Sequence, residues 1–388
     1  MSFKSDFLKD VLICSLGAYG GPEAHLGVFI DQLVIKKKYL SEEDLIELMA
    51  LCSILPGPTS TQTIVSIGYK TGGPLLAFLT MLVWALPVII VMTLLSFLYQ
   101  FLALQNISQE GLRYIGPMAV GFITVAAYRI GKKVITDKVT IALFLMSAVT
   151  TYFIRSPWIF PIVLILGGMT SALLSKENDL WNRVRLKPPW TYLIVFLLFA
   201  LGSIALNLIW DNRILALFES FYRYGYLVFG GGQVVVPVMY SELVEVNEYM
   251  TNQEFLTGYG LVQGLPGPMF SFSAYAGGMA ARDSGVLFQT IAALLSGIGI
   301  FLPGLLLIFF VYPIWENLKK IKGIKVSLKG INAVAGGLIF IAAVILMQRS
   351  GFETDNIIVL VLSILVLMTK KIPAPILVLA ALLAGFVF

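Results

Sequence analysis

The fold of this chain follows from one stretch that occurs twice. Residues 20–58 read GGPEAHLGVFIDQLVIKKKYLSEEDLIELMALCSILPGP, and residues 230–268 read GGGQVVVPVMYSELVEVNEYMTNQEFLTGYGLVQGLPGP. The two stretches align without a gap at an offset of 210 positions, and 11 of the 39 aligned residues are identical. The likeness continues as far as the pairs Gly68/Gly278 and Pro87/Pro303. The chain therefore contains an internal duplication.

The composition indicates an all-α integral membrane protein. Hydrophobic residues make up 58% of the chain and charged residues 13%, with a mean hydropathy of +0.88, whereas soluble domains carry about 25% charged residues. Crossing a bilayer takes about 17–25 apolar residues. Runs of that kind occupy residues 74–103, 113–132, 138–155, 157–175, 190–210, 285–315, 324–348, 354–370 and 372–388. The net charge of +5 reflects basic cytoplasmic loops, so no nucleic-acid partner is expected.

The charges predict that the two halves have opposite orientations. Suppose that the N-terminus is cytoplasmic and that each half has two broken segments that re-enter the membrane and four spanning helices. Then 21 of the 27 Lys and Arg residues fall on the cytoplasmic side, as the positive-inside rule requires. Lys36, Lys37 and Lys38 are matched in the repeat by Val246, Asn247 and Glu248. We therefore expect a first repeat (1–175), a basic cytoplasmic loop with a linker helix (176–212), and an inverted second repeat (213–388) that ends outside.

Inverted repeats are typical of secondary transporters, in which the substrate site lies near the bilayer midplane at interrupted helices. Duplication also occurs in channels, so the architecture favours transport without establishing coupling.

Each half contains a predicted helix break. Ser41 is a suitable N-cap for a short helix over 42–55, which Pro56-Gly57-Pro58 stops. A second short helix is predicted to begin at Thr59-Ser60-Thr61-Gln62. The second half repeats this pattern, with Thr251 as the cap, a stop at Pro266-Gly267-Pro268 and a restart at Met269-Phe270-Ser271.

Such breaks predict an anion site. A helix N-terminus has unpaired N–H groups and a partial positive charge, and the hydroxyls of Thr59, Ser60, Thr61 and Ser271 add neutral donors. We expect the breaks at Gly20-Gly21-Pro22 and at Gly230-Gly231-Gly232 to face the PGP turns. A kinked structural hairpin and tight packing without a ligand are the alternatives.

Ionisable groups near membrane depth are candidates for coupling or gating, because burying a charge in a bilayer is costly. Those that follow the first break or lie in the broken segments are Glu23, His25, Glu47 and Glu242. Those at segment ends, which would draw an anion towards the site, are Lys70, Arg113, Arg282 and Lys329. The alternatives are a structural histidine, ion pairing of Glu242, and snorkelling of the cations.

Signals for other functions are missing from the sequence. It contains no HExxH, G-x-S-x-G or P-loop motif and no cysteine–histidine cluster, so we expect no enzyme, no metal and no cofactor. Cys14 and Cys52 lie in apolar segments and are expected to be buried thiols. GGPEAH stands where a signal-peptide cleavage site would be expected, so the N-terminal segment is expected to belong to the mature fold.

The GGPEAH segment and the LSEEDLIELMALCSILPGPTSTQTIVSIGYKTGG block resemble the chromate transporter (CHR) superfamily. FGGGQVVVPVMYSELV, LVQGLPGPMFSFSAYAGG and GIFLPG resemble the same domain. The resemblance covers nearly the whole chain and implies a long, two-domain member. It implies export of chromate, with sulfate as a related oxyanion, from a prokaryotic cytoplasm, coupled to a proton or ion gradient. Carried over by motif, the implied site residues are Gly20, Gly21, Pro22, Pro56, Gly57, Pro58, Ser60, Gly230, Gly231, Gln263, Pro266, Gly267 and Pro268.

The second half departs from the pattern, since it has Met269-Phe270 where the first has Thr59-Ser60. The two halves are therefore expected to form one asymmetric site in the cytoplasmic membrane. The partners expected are an oxyanion and the lipid bilayer, and a homodimer is a possible assembly. A passive anion channel, a carrier of another small anion, and a membrane-embedded enzyme or lipid-handling protein are the competing hypotheses.

Overall fold

In the computed structural model, the described residues are 3–105, 110–154, 156–177, 179–181, 184–229 and 232–387, and no strand occurs among them. The first repeat contains α1 Phe3–Gly17, α2 Pro22–Phe29, α3 Glu42–Ile54, α4 Thr59–Leu104, α5 Ile115–Val134, α6 Lys138–Phe153 and α7 Ile159–Leu173, and α8 Trp190–Ile209 follows it. The second repeat contains α9 Arg213–Leu227, α10 Val235–Tyr240, α11 Asn252–Gln263, α12 Phe272–Ala280, α13 Val286–Gly299, α14 Leu302–Val311, α15 Trp315–Leu318, α16 Lys322–Arg349, α17 Thr354–Thr369 and α18 Ala374–Val387.

Several of these helices are long and apolar enough to cross a membrane. Within the described residues they are Thr59–Leu104, Trp190–Ile209, Val286–Leu318 and Lys322–Arg349, with shorter apolar helices at α6, α7, α17 and α18. Only 11% of the apolar stretch of helix α8 is buried inside the protein. Side chains such as Leu198 and Leu208 are exposed, which is the arrangement expected of a helix that faces lipid. The prediction of an all-helical integral membrane protein is confirmed.

The two repeats share their local backbone geometry. In each, a short helix passes into a π-helical turn, at Ile30–Lys36 and at Ser241–Val246. A residue with positive φ follows at Lys38 (52°) and Glu248 (50°). The amides of Lys37 and Asn247 then donate to the carbonyls five residues earlier in both repeats. The duplication seen in the sequence is therefore also a duplication of backbone conformation.

The short helix α3 begins as the sequence predicts. The Ser41 hydroxyl accepts from the Asp44 amide at 3.1 Å, while the Asp44 carboxylate accepts from the Ser41 amide at 3.3 Å. This reciprocal pair is a capping box. In the second repeat Thr251 and Glu254 form the same pair. Both predicted caps are confirmed.

Helix α4 is two antiparallel arms, residues 59–71 and 74–104. Gly72 and Gly73 are not helical, and Gly73 has φ +78°. A Cβ on Gly68 would lie 2.4 Å from Thr80 Oγ1, although twelve residues of straight helix span about 18 Å. The chain therefore reverses at the glycine pair, and the apolar arm 74–104 matches the predicted span 74–103.

The first arm of α4 also runs antiparallel to α3. Lys70 Nζ lies 2.9 Å from Asp44 Oδ1, and Cys52 Sγ lies 3.5 Å from Ser66 Oγ. Residues 42–71 thus form a helical hairpin with its base at Asp44 and Lys70 and its tip at Pro56-Gly57-Pro58.

The predicted span 285–315 corresponds to the apolar stretch Val286–Leu318, which is long enough to cross a membrane. The structure interrupts this stretch at Ile300 and Phe301, between α13 and α14. The cause is Pro303, which has no amide to donate and whose ring crowds the carbonyl of Gly299. Pro87 occupies the matching position of the first repeat, but there α4 stays helical.

Two units are distinguished by their internal packing. The first comprises Met1–Ser108, Lys187–Tyr226 and Leu261–Trp315, and the second comprises Gln109–Leu186, Leu227–Gly260 and Glu316–Phe388. In the second unit α16 packs closely on α7, since a Cβ on Gly330 would lie 2.1 Å from the Gly167 carbonyl. In the first unit α12 packs on α4, where Gly278 faces Ser96. Small residues at such crossings let membrane helices approach closely.

Candidate anion site

The first PGP turn is held by a side chain from the helix that follows it. Gly57 has φ +126°, a conformation that favours glycine. Gln62 Nε2 donates to the Pro56 carbonyl at 2.7 Å. Pro58 is the N-cap of α4 and provides no side-chain cap. The amides of Thr59, Ser60 and Thr61 therefore stand at the helix start without capping side chains, as an anion site requires.

Four side chains in the first unit meet beside this turn. His25 Nδ1 lies 3.1 Å from Ser60 Oγ, and Trp84 Nε1 donates to Thr61 Oγ1 at 3.1 Å. The His25 and Trp84 rings meet edge to face with centroids 5.3 Å apart. Because Thr61 Oγ1 accepts from tryptophan, its own O–H is available to donate. The structure thus joins three predicted site residues through Trp84, which the sequence reasoning did not identify.

The second PGP turn packs on the end of α1. The Gly267 amide donates to the Ala18 carbonyl at 2.8 Å. Gly267 has φ +97°, and a Cβ there would lie 3.2 Å from Val88. Ser15, one turn before Ala18, donates to the Trp84 carbonyl at 2.7 Å. The PGP turn of the second repeat therefore lies against the residues that lead into the Gly20-Gly21 break of the first.

Gly20 and Gly21 adopt φ values of +88° and +87°, which glycine tolerates best. Gly230 and Gly231 lie outside the described residues, as do the side chains of Pro22 and Glu23, so the expectations for them stay predictions.

Several buried polar atoms near the two turns have no hydrogen-bond partner among the described residues. They are Gln62 Oε1, Gln263 Nε2, Ser271 Oγ and Ser273 Oγ. Ser271 and Ser273 are fully buried. An unsatisfied buried polar group is costly, and in native proteins such groups usually meet water or a ligand. Gln263 and Ser271 flank Pro266-Gly267-Pro268 in the chain and supply N–H and O–H donors.

Helix α9 carries a buried ion pair that the sequence reasoning missed. Arg223 Nε lies 2.7 Å from Glu219 Oε1, and both side chains are almost inaccessible. Two residues later, a Cβ on Gly225 would lie 2.6 Å from Pro303, at the break between α13 and α14. The signal was present in the sequence, because Glu and Arg four residues apart share one helix face within the aromatic segment FESFYRYGY.

Three of the predicted vestibule cations are paired with carboxylates. Lys70 contacts Asp44, Arg113 contacts Asp355, and Lys329 Nζ lies 2.6 Å from Asp137 Oδ2. Lys329, together with backbone and side-chain hydrogen bonds from Thr140, lowers the pKa of Asp137 to about 2. These cations lie in ion pairs, where we expect them to hold helix ends together.

The remaining candidates belong to elements other than α4. Arg282 donates to the Met279 carbonyl at 3.4 Å, and Glu47 lies half-buried on α3. Glu242 is buried in the π-helical turn of the second unit. Cys14 and Cys52 are buried free thiols, as predicted. No group of three or more potential metal ligands occurs among the residues that the structure describes.

Apolar helices of spanning length, repeated helix breaks and buried donors at those breaks define an integral membrane protein of the transporter class. Comparison with known families agrees: the chromate transporter profile matches residues 6–173 and again residues 215–386. The chain belongs to the chromate transporter family, and its resemblance to that family in sequence is confirmed.

The relatives of this chain are transport proteins rather than enzymes. The probable chromate transport protein of Synechococcus elongatus is 27% identical over 379 residues, which is 96% of this chain and 93% of the relative. The chromate transport protein of Pseudomonas aeruginosa is 25% identical and is aligned over 98% of this chain and 90% of its own length. The uncharacterized transporter YwrA of Bacillus subtilis is 26% identical, and 93% of it aligns with only 44% of this chain. No solved structure gives a significant match.

Proposed function

We propose that this protein exports a tetrahedral oxyanion, chromate or sulfate, from the cytoplasm at the expense of a proton or ion gradient. Membership of the chromate transporter family and relatives named as chromate transport proteins support chromate as a substrate. The direction of transport, its energy source and the acceptance of sulfate are part of this proposal and come from the family resemblance.

The observation that carries this proposal is that residues beside both PGP turns contact Trp84: Thr61 after the first turn, and Ser15, which lies against the second. One turn presents the uncapped start of α4 with Ser60 and Thr61, and the other lies against Ala18 and Ser15. Neutral N–H and O–H donors stabilise an anion by hydrogen bonds and do not bind it as strongly as a free cation would. A site of this kind suits a substrate that must leave again.

Arg223 supplies the positive charge that a dianion favours. In this structure Glu219 neutralises it, so an arriving oxyanion competes with a carboxylate that already matches the guanidinium geometry. We propose that this competition keeps affinity low enough for release.

We also propose the topology predicted from the charges, with a cytoplasmic N-terminus, two inverted halves and an external C-terminus. The hairpin over residues 42–71 supports the re-entrant part of this topology, because its base at Asp44 and Lys70 lies at one end and its PGP tip at the other. Such a hairpin enters and leaves the membrane on the same side.

Ser60→Ala and Thr61→Ala test the site in proteoliposomes loaded with radiolabelled sulfate or with chromate. Loss of one hydrogen bond to a charged group costs about 1.5–3 kcal/mol, so we expect substrate affinity to fall about 10–150-fold. Ser203→Ala and Thr93→Ala are matched controls, since their buried hydroxyls bond to their own helices. Unchanged affinity in Ser60→Ala and Thr61→Ala would exclude the PGP site.

The same vesicles separate a carrier from a channel. A coupled exporter concentrates the oxyanion against its gradient when a proton or sodium gradient is imposed, and it stops when an ionophore removes that gradient. Flux that only dissipates a substrate gradient would establish the passive channel instead.

A further inference from the structure

Trp84 is a fully buried side chain in the second arm of α4, and contacts from three elements hold it in place. Its indole N–H donates to Thr61 Oγ1, in the first arm of α4, at 3.1 Å. Its ring meets His25 and Phe29 of α2 edge to face, with centroids 5.3 Å apart in both pairs. Its backbone carbonyl accepts from Ser15 of α1 at 2.7 Å. The single donor of the side chain is therefore directed at a hydroxyl of the proposed oxyanion site.

The direction of this hydrogen bond decides what Thr61 offers to a ligand. An indole N–H can only donate, so the Thr61 oxygen accepts and the hydroxyl hydrogen points elsewhere. Other helical threonines of this unit use that hydrogen within their own helix, by donating to the carbonyl four residues earlier; they include Thr63, Thr71, Thr80 and Thr93. Thr61 makes no such bond among the described residues. Its hydrogen is thus left for a partner outside the helix.

The second repeat lacks this arrangement. Ser271 stands at the position of Thr61, and Ile300 stands at the position of Trp84. Isoleucine has no N–H, and the fully buried Ser271 hydroxyl has no hydrogen-bond partner among the residues that the structure describes. The second PGP turn nevertheless forms, with Gly267 at positive φ. The indole N–H is therefore not needed to build a PGP turn, and its contact in the first repeat is with the hydroxyl alone.

We propose that Trp84 is a positioning residue for the oxyanion, because its N–H holds the Thr61 hydroxyl in the orientation that donates to the bound substrate. The inference rests on the proposed function, since it takes Thr61 as a contact of the oxyanion. A hydroxyl that is ordered before binding loses less entropy when the ligand arrives. A hydroxyl that already accepts one hydrogen bond also donates a stronger one.

The test removes the indole N–H and keeps the ring. Trp84→benzothienylalanine, introduced by nonsense suppression, has sulfur in place of the N–H, so the contacts with His25 and Phe29 remain. Trp84→Phe is the simpler variant, and the isosteric one keeps the test open if phenylalanine impairs folding. The full-length chains are reconstituted in proteoliposomes, and initial rates over a range of chromate concentrations give KM and the maximal rate. We expect KM to rise about 3–10-fold, which corresponds to one hydrogen bond, with little change in the maximal rate.

Trp315→Phe is the matched control. Trp315 is also buried, but its indole N–H has no hydrogen-bond partner among the described residues, so KM should stay the same. A double-mutant cycle then separates positioning from packing. In a Thr61→Val background there is no hydroxyl to orient, so a change at Trp84 should leave KM at the value that Thr61→Val alone gives.

Two results would overturn the proposal and leave the oxyanion site standing. One is a KM that rises equally with and without the Thr61 hydroxyl. The other is a KM that stays unchanged in the Trp84 variants, with or without a lower maximal rate, while Thr61→Val raises it. An unchanged KM in Thr61→Val would refute both the proposal and the contact of Thr61 with the oxyanion, whereas absence of oxyanion flux in the unsubstituted chain would refute the proposed function itself.

Discussion

Gly57→Ala tests how the first PGP turn is held. At this position φ is +126°, and an added Cβ would lie 2.6 Å from Gln62 Nε2. The Gln62 amide cannot stay where it is, so its 2.7 Å hydrogen bond to the Pro56 carbonyl must break. The substitution therefore combines backbone strain with the loss of one buried hydrogen bond.

The expected magnitude follows from these two effects. A left-handed conformation costs a residue with a Cβ about 1–2 kcal/mol, and the lost hydrogen bond costs about 0.5–1.5 kcal/mol. The free energy of unfolding should fall by about 1.5–3.5 kcal/mol. At about 2 °C per kcal/mol, the unfolding midpoint of the purified protein should fall by about 3–7 °C. Transport should fall as well, because Gln62 no longer fixes the turn that presents Ser60 and Thr61.

Gly73→Ala separates strain from contact. Gly73 also has positive φ (+78°), but nothing lies within 4 Å of its would-be Cβ. We expect this control to lose only the strain contribution, about 1–2 kcal/mol. Both variants are measured by thermal unfolding in the same detergent and by oxyanion flux in proteoliposomes.

A double-mutant cycle with Gln62→Ala decides whether the contact is the cause. In that background the Pro56 carbonyl has already lost its donor, so adding Gly57→Ala should cost only the strain. If Gly57→Ala lowers the midpoint equally with and without Gln62, the glutamine does not hold the turn and our explanation of the turn is wrong.

Three further predictions concern topology, protonation and loop pairing. Cysteines placed at Lys37 and at Asn247 in a Cys14/Cys52-free chain should react with membrane-impermeant maleimide from opposite sides; labelling from one side would refute the inversion. The His25 side chain contacts Ser60 and Trp84. His25→Gln should therefore lower oxyanion flux without shifting the dependence of that flux on pH. A shifted dependence would mean that the His25 ring carries a coupling proton. The lowered pKa of Asp137 contributes stability that is present above pH 3.8 and is lost as the pH falls towards 2. Asp137→Asn should therefore flatten the profile of stability against pH between pH 4 and pH 2. An unchanged profile would mean that Lys329 contributes nothing there.

The sequence predicted the local features that depend on neighbouring residues. The caps at Ser41 and Thr251 and the stop at Pro56-Gly57-Pro58 follow from side-chain chemistry within a few positions, and the structure contains them. The chain reverses at Gly72-Gly73, so the second arm of α4 covers residues 74–104. This arm matches the apolar run predicted over residues 74–103.

Features that depend on distant contacts were not predictable in this way. Nothing near Trp84 in the sequence indicates that its indole N–H reaches Thr61, since that contact requires α4 to fold back on itself. Pro87 and Pro303 occupy matching positions, yet only the second interrupts its helix. Tertiary packing decides whether a proline kinks or breaks a helix, and periodicity alone contains no information on that packing.

The asymmetry of the duplication has a physical reason in the site that we propose. The first repeat supplies Ser60 and Thr61, whereas the second has Met269 and Phe270 at the start of its restarted helix. Two symmetric hydroxyl-lined turns with a free arginine would bind a dianion tightly and release it slowly. Ser60 and Thr61 from one repeat, Met269 and Phe270 at the matching helix start of the other, and an arginine already paired with Glu219 give a site of lower affinity. A transporter requires such a site, because tight binding lowers turnover whenever release limits the cycle.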